Sequence, residues 1–119
     1  KAGVAALKGS QHHIAEMVTK LRARRDYAWK RLNEIEGISC RKPEGAFYVF
    51  PKVEEVGSRW RTDEEFARQL LEETGVLTVH GSGFDPVYGS GHFRSVILAP
   101  IKTLEIALNQ LEKFMSRKK

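Results

Sequence analysis

The chain has 119 residues, 41% of them hydrophobic and 29% charged, which is one domain's worth of sequence with enough apolar side chains for a modest core. No stretch approaches the ~20 apolar residues of a membrane-spanning helix. The single cysteine, Cys40, excludes an internal disulfide and fits a reducing, cytoplasmic setting. The net charge of +5 raises the question of nucleic acid, but the cations are not gathered in one arm. Lys20, Arg22, Arg24, Arg25, Lys30 and Arg31 share a helix with Glu16, Asp26, Glu34 and Glu36, the pattern of a solvated face, so no nucleic-acid partner is expected. The first residue is Lys1 and not Met, which reads as a processed, tagged or truncated chain.

In chain order, Lys1 to Leu7 reads as the tail of a helix that stops at Gly9. Alone it is too short to be stable, so it is expected to belong to something upstream. Ser10 can cap a second helix, running to about Glu36 and ending at Gly37. Ile14, Met17, Val18, Leu21, Ala28, Leu32 and Ile35 recur on its apolar stripe. At ~100° per residue Arg25 falls about 20° from Ile14, inside that stripe. Such an arginine snorkels outward by default, or else reaches a carboxylate or carbonyl beyond the helix. Trp29 flanks the stripe as packing.

Ile38 to Arg41 is a short strand candidate, and Ala46 to Phe50 a stronger one, rich in aromatic and β-branched residues. The turn Lys42-Pro43-Glu44-Gly45 between them suggests a hairpin. Pro51 ends the second strand, and Val53 to Arg61 reads as a loop. Thr62-Asp63-Glu64-Glu65 is a capping box for a helix that buries Phe66, Ala67, Leu70 and Leu71 and ends at Gly75. After Pro100, Thr103 can cap a last helix lined by Leu104, Ala107, Leu108, Leu111 and Met115, with Ser116 to Lys119 as a frayed basic tail. This order predicts an α+β fold with a small, mostly antiparallel sheet of about four short strands and helices packed on it.

The stretch from Val76 to Leu98 organises the rest: an apolar strand, a glycine-rich loop, and a second strand. In the second strand His92, Arg94, Val96 and Leu98 point one way, and Phe93, Ser95 and Ile97 the other. Both faces carry apolar residues, so cover on both sides is expected. Arg94 then has its stem near the core and needs a partner, because an unpaired buried charge is expensive. That partner is either a ligand carboxylate or phosphate, which the planar guanidinium fork suits, or one of the chain's own acids, the commoner arrangement on spacing alone.

Other chemistry is poorly supported. His12 and His13 are adjacent on a helix and cannot face one metal, and Cys40 is remote from His80 and His92. The loop Gly81 to Gly91 lacks the Lys-Ser/Thr of a P-loop and lies between strands, so it reads as a flexible connection. Neither Ser82 nor Ser90 sits in a nucleophile elbow, and no carboxylate pair stands out for acid/base work.

Four segments resemble motifs of the class I/II aminotransferases, pyridoxal-phosphate enzymes of fold type I. Pro43-Glu44-Gly45-Ala46-Phe47-Tyr48-Val49-Phe50 is similar to the family's P-x-G-A-F-Y-x-F strand. Val76 to Phe84 resembles V-x-V-x-P-G-S-x-F, and Gly91 to Val96 resembles the G-x-x-R segment. Arg24-Arg25-Asp26 resembles the R-R-D of the family's helix. The resemblance implies a C-terminal small domain over residues 10–119, preceded by the tail of a large-domain helix over residues 1–9. It implies that Arg94 grips the α-carboxylate of an amino acid or 2-oxo acid, and that Phe47 lies near the substrate pocket or in plain core. The family's Schiff-base lysine motif and its phosphate cradle are not found in this sequence, and His80 stands where proline is usual. Pyridoxal 5'-phosphate and a homodimer are therefore expectations for a full-length enzyme. This chain alone is expected to bind no cofactor, to be inactive, to supply no catalytic residue and to self-associate through surface left bare. Two alternatives remain at this point: a stand-alone carboxylate-binding or regulatory module, and a basic nucleic-acid-binding domain.

Overall fold

A computed structural model describes residues 1–117. The elements run α1 (Ala2–Lys8), α2 (His12–Glu34), β1 (Ile38–Ser39), β2 (Tyr48–Val49), β3 (Lys52–Val53), α3 (Asp63–Thr74), β4 (Val79–His80), β5 (Phe93–Val96) and α4 (Ile101–Ser116). A 3-10 turn, Gly81–Gly83, follows β4. The fold is α+β with antiparallel strands, as the pattern predicts, but the described strands number five and lie in two small sheets, β1–β3 and β2–β5–β4.

The expected hairpin between β1 and β2 does not form. β1 pairs instead with β3, Ile38 opposite Val53, and β2 pairs with β5, Tyr48 opposite Val96 and Val49 opposite Ser95. Burial decides the partners. Pairing β2 with β5 lays Val49 beside Phe93 and Ile97 in one apolar layer, while Ile38 and Val53 are buried together. The segment through Pro51 then follows the lower end of β5: Phe93 N donates to Pro51 O at 3.0 Å, and Val53 N to Gly91 O at 2.8 Å. Lys42 to Gly45 is a wider excursion, and Ala46 closes it in the left-handed region at φ 58°.

α2 has two unlike halves. Its C-terminal half buries Ala28 and Leu32 in the core with Ile35 just beyond. Residues 1–20 are exposed throughout, including Ile14, Met17 and Val18 of the apolar stripe. The helix ends at Glu34, two residues earlier than expected, and Gly37 makes the left-handed turn at φ 81°. Gln11 holds the N-cap position and Ser10 stands one place upstream, its hydroxyl accepting from His12 N at 3.3 Å. Trp29 packs against the core and donates from Nε1 to Cys40 O at 3.0 Å. Several cations of α2 are held within the molecule, Arg31 by Glu34 and Glu112 and Arg25 by Asp26.

The core centres on Trp60, Phe66, Phe93 and Phe114, with Leu32, Leu70, Ile97 and Leu111 around them. Phe114, which the sequence reading leaves out, is as buried as Leu111. In α3, Thr62 accepts from Glu65 N at 3.1 Å and Glu65 reaches back to Arg61 N at 2.8 Å, so the capping box closes one residue early. Leu71 is exposed; Phe66, Ala67 and Leu70 form the buried face. Pro100, not Thr103, holds the N-cap position of α4, since its extended backbone leads straight into the first turn. Lys118 and Lys119 of the basic tail lie outside the described residues, and Arg117 pairs with Glu73 at 2.7 Å.

Candidate functional site

Alternation along β5 sets the site. Phe93 and Ile97 are buried, so Arg94, Val96 and Leu98 stand on the other face. That face is not covered as expected: Val96 and Leu98 are 44% and 46% exposed. The pairings bring Val79 opposite Arg94 and Tyr48 opposite Val96, so these residues share the open face.

Arg94 is clamped there between two aromatic rings. Its guanidinium carbon lies 4.5 Å from the Tyr48 ring centre and 4.4 Å from that of Phe84. Among the described residues it forms no ion pair, and its Nε is buried with no hydrogen-bond partner. The structural salt bridge that spacing alone favoured is therefore not what holds this side chain. Each ring contact stabilises the cation by roughly 0.5–2 kcal/mol without using any of its N–H donors as a hydrogen bond. A planar fork of that kind matches a planar, two-oxygen anion.

The arginines of α2 tie down both strands that carry the clamp. Arg24 donates to Leu98 O, at the end of β5. Arg25 reaches Pro43 O at 3.5 Å, ahead of β2, and pairs with Asp26 at 2.8 Å. It does not simply snorkel, because the carbonyl and carboxylate are within its span. Lys42 joins Asp26 at 3.0 Å. Hydrogen bonds from Lys42 and then Arg25 hold the Asp26 carboxyl below its ordinary value.

The loop between β4 and β5 is closed rather than slack. Gly81 N donates to His92 O at 2.8 Å, Gly89 N to Asp85 O at 2.9 Å and His92 N to Gly89 O at 3.0 Å. The Asp85 carboxylate takes the amides of Val87 and Tyr88 at 2.8 and 2.7 Å. A methyl group at Gly81 would run into the Gly89 carbonyl, and one at Gly89 into that of Gly81, so these glycines serve close backbone approach. Phe84 follows the 3-10 turn directly and lays its ring on Arg94. Phe50 meets Phe84 edge-on at 6.3 Å and stacks on His92 at 5.1 Å, extending the aromatic rim.

Of the two predicted site residues, Arg94 occupies the clamp, and Phe47 is not one of the two rings that form it. Phe47 packs partly against the core, and its ring lies 4.6 Å from that of Tyr48. Tyr48 and Phe84 are the partners that sequence reasoning missed as site residues. Tyr48 was legible in principle, since alternation puts it opposite the buried Val49; Phe84 arrives through loop closure alone.

Elsewhere, a cleft of about 810 Å³ opens between the ends of α2 and α4, remote from Arg94. Its arginine, Arg59, already donates to the carbonyls of Phe114, Met115 and Arg117. No metal-binding cluster of three His, Cys, Asp or Glu side chains occurs among the described residues. Every described lysine is exposed, and Lys52, which bridges to His92 just ahead of β5, is paired with Glu54 at 3.0 Å, so the described residues offer no buried amine for a pyridoxal-phosphate site. No described helix is long and apolar enough to cross a membrane.

Comparison with known proteins gives a consistent picture. The family profile described as aminotransferase class I and II matches residues 1–111. The structure is similar to that of an alanine aminotransferase from Pyrococcus furiosus, with a TM-score of 0.93 and 52% identity over 98% of this chain and 29% of that one. A probable aspartate/prephenate aminotransferase of Rhizobium leguminosarum bv. phaseoli is 40% identical over 95% of this chain and 29% of its own length. The glutamate-pyruvate aminotransferase AlaA of Escherichia coli strain K12 is 33% identical over 91% of this chain and 27% of its own. The chain thus spans under a third of the length of the relatives it matches.

Proposed function

The chain belongs to the class I and II aminotransferases, and from that premise we propose that Arg94 binds the carboxylate of an amino acid or 2-oxo acid in a larger transaminase. Residues 10–119 are its C-terminal small domain, and residues 1–9 the tail of a preceding large-domain helix. The observation that carries this reading is the clamp: a guanidinium held against Tyr48 and Phe84, with a buried Nε and no acid among the described residues bound to it. The relatives are named for amino-acid and 2-oxo-acid chemistry, and in this family both substrates carry the carboxylate such a fork suits.

Aminotransferases of this family use pyridoxal 5'-phosphate, whose ring serves as the electron sink for the chemistry. The residues described here do not fit that group, and no step through it is assigned to them. The role left to this chain is binding and orientation: Arg94 supplies charge and two parallel donors, the rings of Tyr48 and Phe84 pack against its guanidinium, and Phe47 supports Tyr48 from the side. The chain by itself does not transaminate; the whole enzyme does so as a homodimer.

The test is Arg94→Lys in the whole enzyme. Lysine keeps the charge but loses the second parallel hydrogen bond and the stacking, so kcat/KM falls about tenfold or more with a raised KM. Unchanged kinetics would overturn the assignment of Arg94.

A further inference from the structure

We propose that Asp63 is a positioning residue for the Arg94 site. Its buried carboxylate grips the Ser82 amide and so keeps the ring of Phe84 on the guanidinium. Asp63 opens α3, where acids are common, but such acids normally stay in water. Its neighbour Glu64 does, and Asp63 does not, being only 3% exposed. Burying a carboxylate is costly unless it is hydrogen-bonded. Among the described residues Asp63 has no cation within ion-pair distance, and its partner is the backbone of the distant loop: Ser82 N donates to Oδ2 at 2.6 Å. A short bond to a charged acceptor, placed at the positive end of a helix, is the strong kind.

The bond holds the one part of the loop on which the clamp depends. Ser82 is the middle residue of the 3-10 turn, and Phe84 N donates back to Gly81 O at 2.9 Å, so Phe84 hangs directly from that turn. The Ser82 hydroxyl meets His80 Nδ1 at 3.0 Å, and the His80 ring lies over Gly83, where a methyl group would sit 2.9 Å from Cε1. The turn is therefore fixed on one side by His80 and on the other by Asp63. Phe84 itself is half exposed and has little packing of its own to hold it against Arg94. Helix α3 thus contributes to the site with no hydrogen bond or ion pair to Arg94 among the described residues. The bearing of this arrangement on catalysis rests on the reading of Arg94 given above; the placement of Phe84 does not.

The placement is read directly by NMR of this chain, without substrate. The rings of Tyr48 and Phe84 shift the Arg94 Cδ protons upfield. In Asp63→Ala the part owed to Phe84 is lost while the resonances of Phe93 and Ile97 stay in place, and Asp63→Asn, which keeps an acceptor oxygen, restores it. A merely structural role for Asp63 lowers the unfolding temperature and leaves the Arg94 shifts unmoved, and that result overturns the proposal. Should Asp63→Ala fail to fold, amide exchange in the unaltered chain decides: Ser82 N–H protected as well as the amides of β5 supports the latch, and exchange at the rate of a free loop amide refutes it. A wrong assignment of Arg94 shows separately, as unchanged kinetics in Arg94→Lys.

Discussion

Phe66→Ala is the most informative single change to the scaffold under the site. Phe66 is fully buried on α3 and touches three other rings: Trp60 edge-on at 4.9 Å, Phe93 at 5.4 Å and Phe114 at 5.8 Å. Removing a buried phenyl ring costs roughly 3–5 kcal/mol from lost transfer energy and the cavity left behind. Aromatic pairs add about 0.5–1.5 kcal/mol each beyond area burial, and three at once place this site toward the upper end, about 4 kcal/mol. A domain of this size has only ~5–15 kcal/mol in total, so the variant loses a quarter or more of it. With a urea slope of about 1–3 kcal/mol per molar, the unfolding midpoint falls by roughly 2 M. Phe66→Leu fills most of the space and should cost under about 1.5 kcal/mol. Urea titration followed by tryptophan fluorescence and circular dichroism measures both. A loss below about 1.5 kcal/mol in the alanine variant, or equal losses in the two, would refute the view that this aromatic cluster organises the core.

Gly81→Ala drives a methyl group into the Gly89 carbonyl, and overpacking of this kind costs about 1–3 kcal/mol; wild-type stability in that variant would mean the loop is slack after all. The Glu65 carboxyl is held below its ordinary value of 4.5, first by the Arg61 amide. Because its folded-state pKa is depressed, its stabilisation is present above pH 4.5 and is lost as the pH falls through the folded value. Unfolding curves of the native chain and Glu65→Gln should therefore converge below that point, and a gap that persists in acid contradicts the capping role. Finally, Phe50, Val79, Phe84, Val96 and Leu98 share or border the open face of the sheet, and Ile14, Met17 and Val18 the bare half of α2. The chain should self-associate in sedimentation runs at high concentration, and a clean monomer there would sink that expectation.

The helices were legible wherever a cap and a stripe agreed. Thr62 and Gly75 bound α3 because a side-chain oxygen and a left-handed glycine leave little freedom at either end. The strands were less legible, because two-residue strands carry no period and their partners are chosen across the chain. β1 finds β3 and not β2 because Ile38 and Val53 are buried together, a fact no local pattern contains. Arg94 could be singled out from alternation and motif, but its ring partners could not both be found. Tyr48 comes from a non-local pairing and Phe84 from a loop whose closure depends on Asp63, nineteen residues before Ser82. Periodicity marks the apolar stripe of α2 and not what covers it: Ala28 and Leu32 are buried, while Ile14, Met17 and Val18 are exposed.

Strand β5 sends alternate residues of one run into the core and onto the open face. Phe93 and Ile97 are locked into the core, which fixes the backbone of Arg94 to within the tolerance of a packed interior. The side chain is held separately, by the rings of Tyr48 and Phe84, and not by an acid among the described residues. That division suits the carboxylate-binding role proposed for Arg94. An internal salt bridge would hold the guanidinium just as firmly but would have to break whenever a ligand carboxylate arrived, and the ligand would gain only the difference. Aromatic faces hold it without occupying its donors. The arrangement is preorganised for an anion and leaves the N–H donors unspent, as transition-state and ground-state carboxylate binding both require.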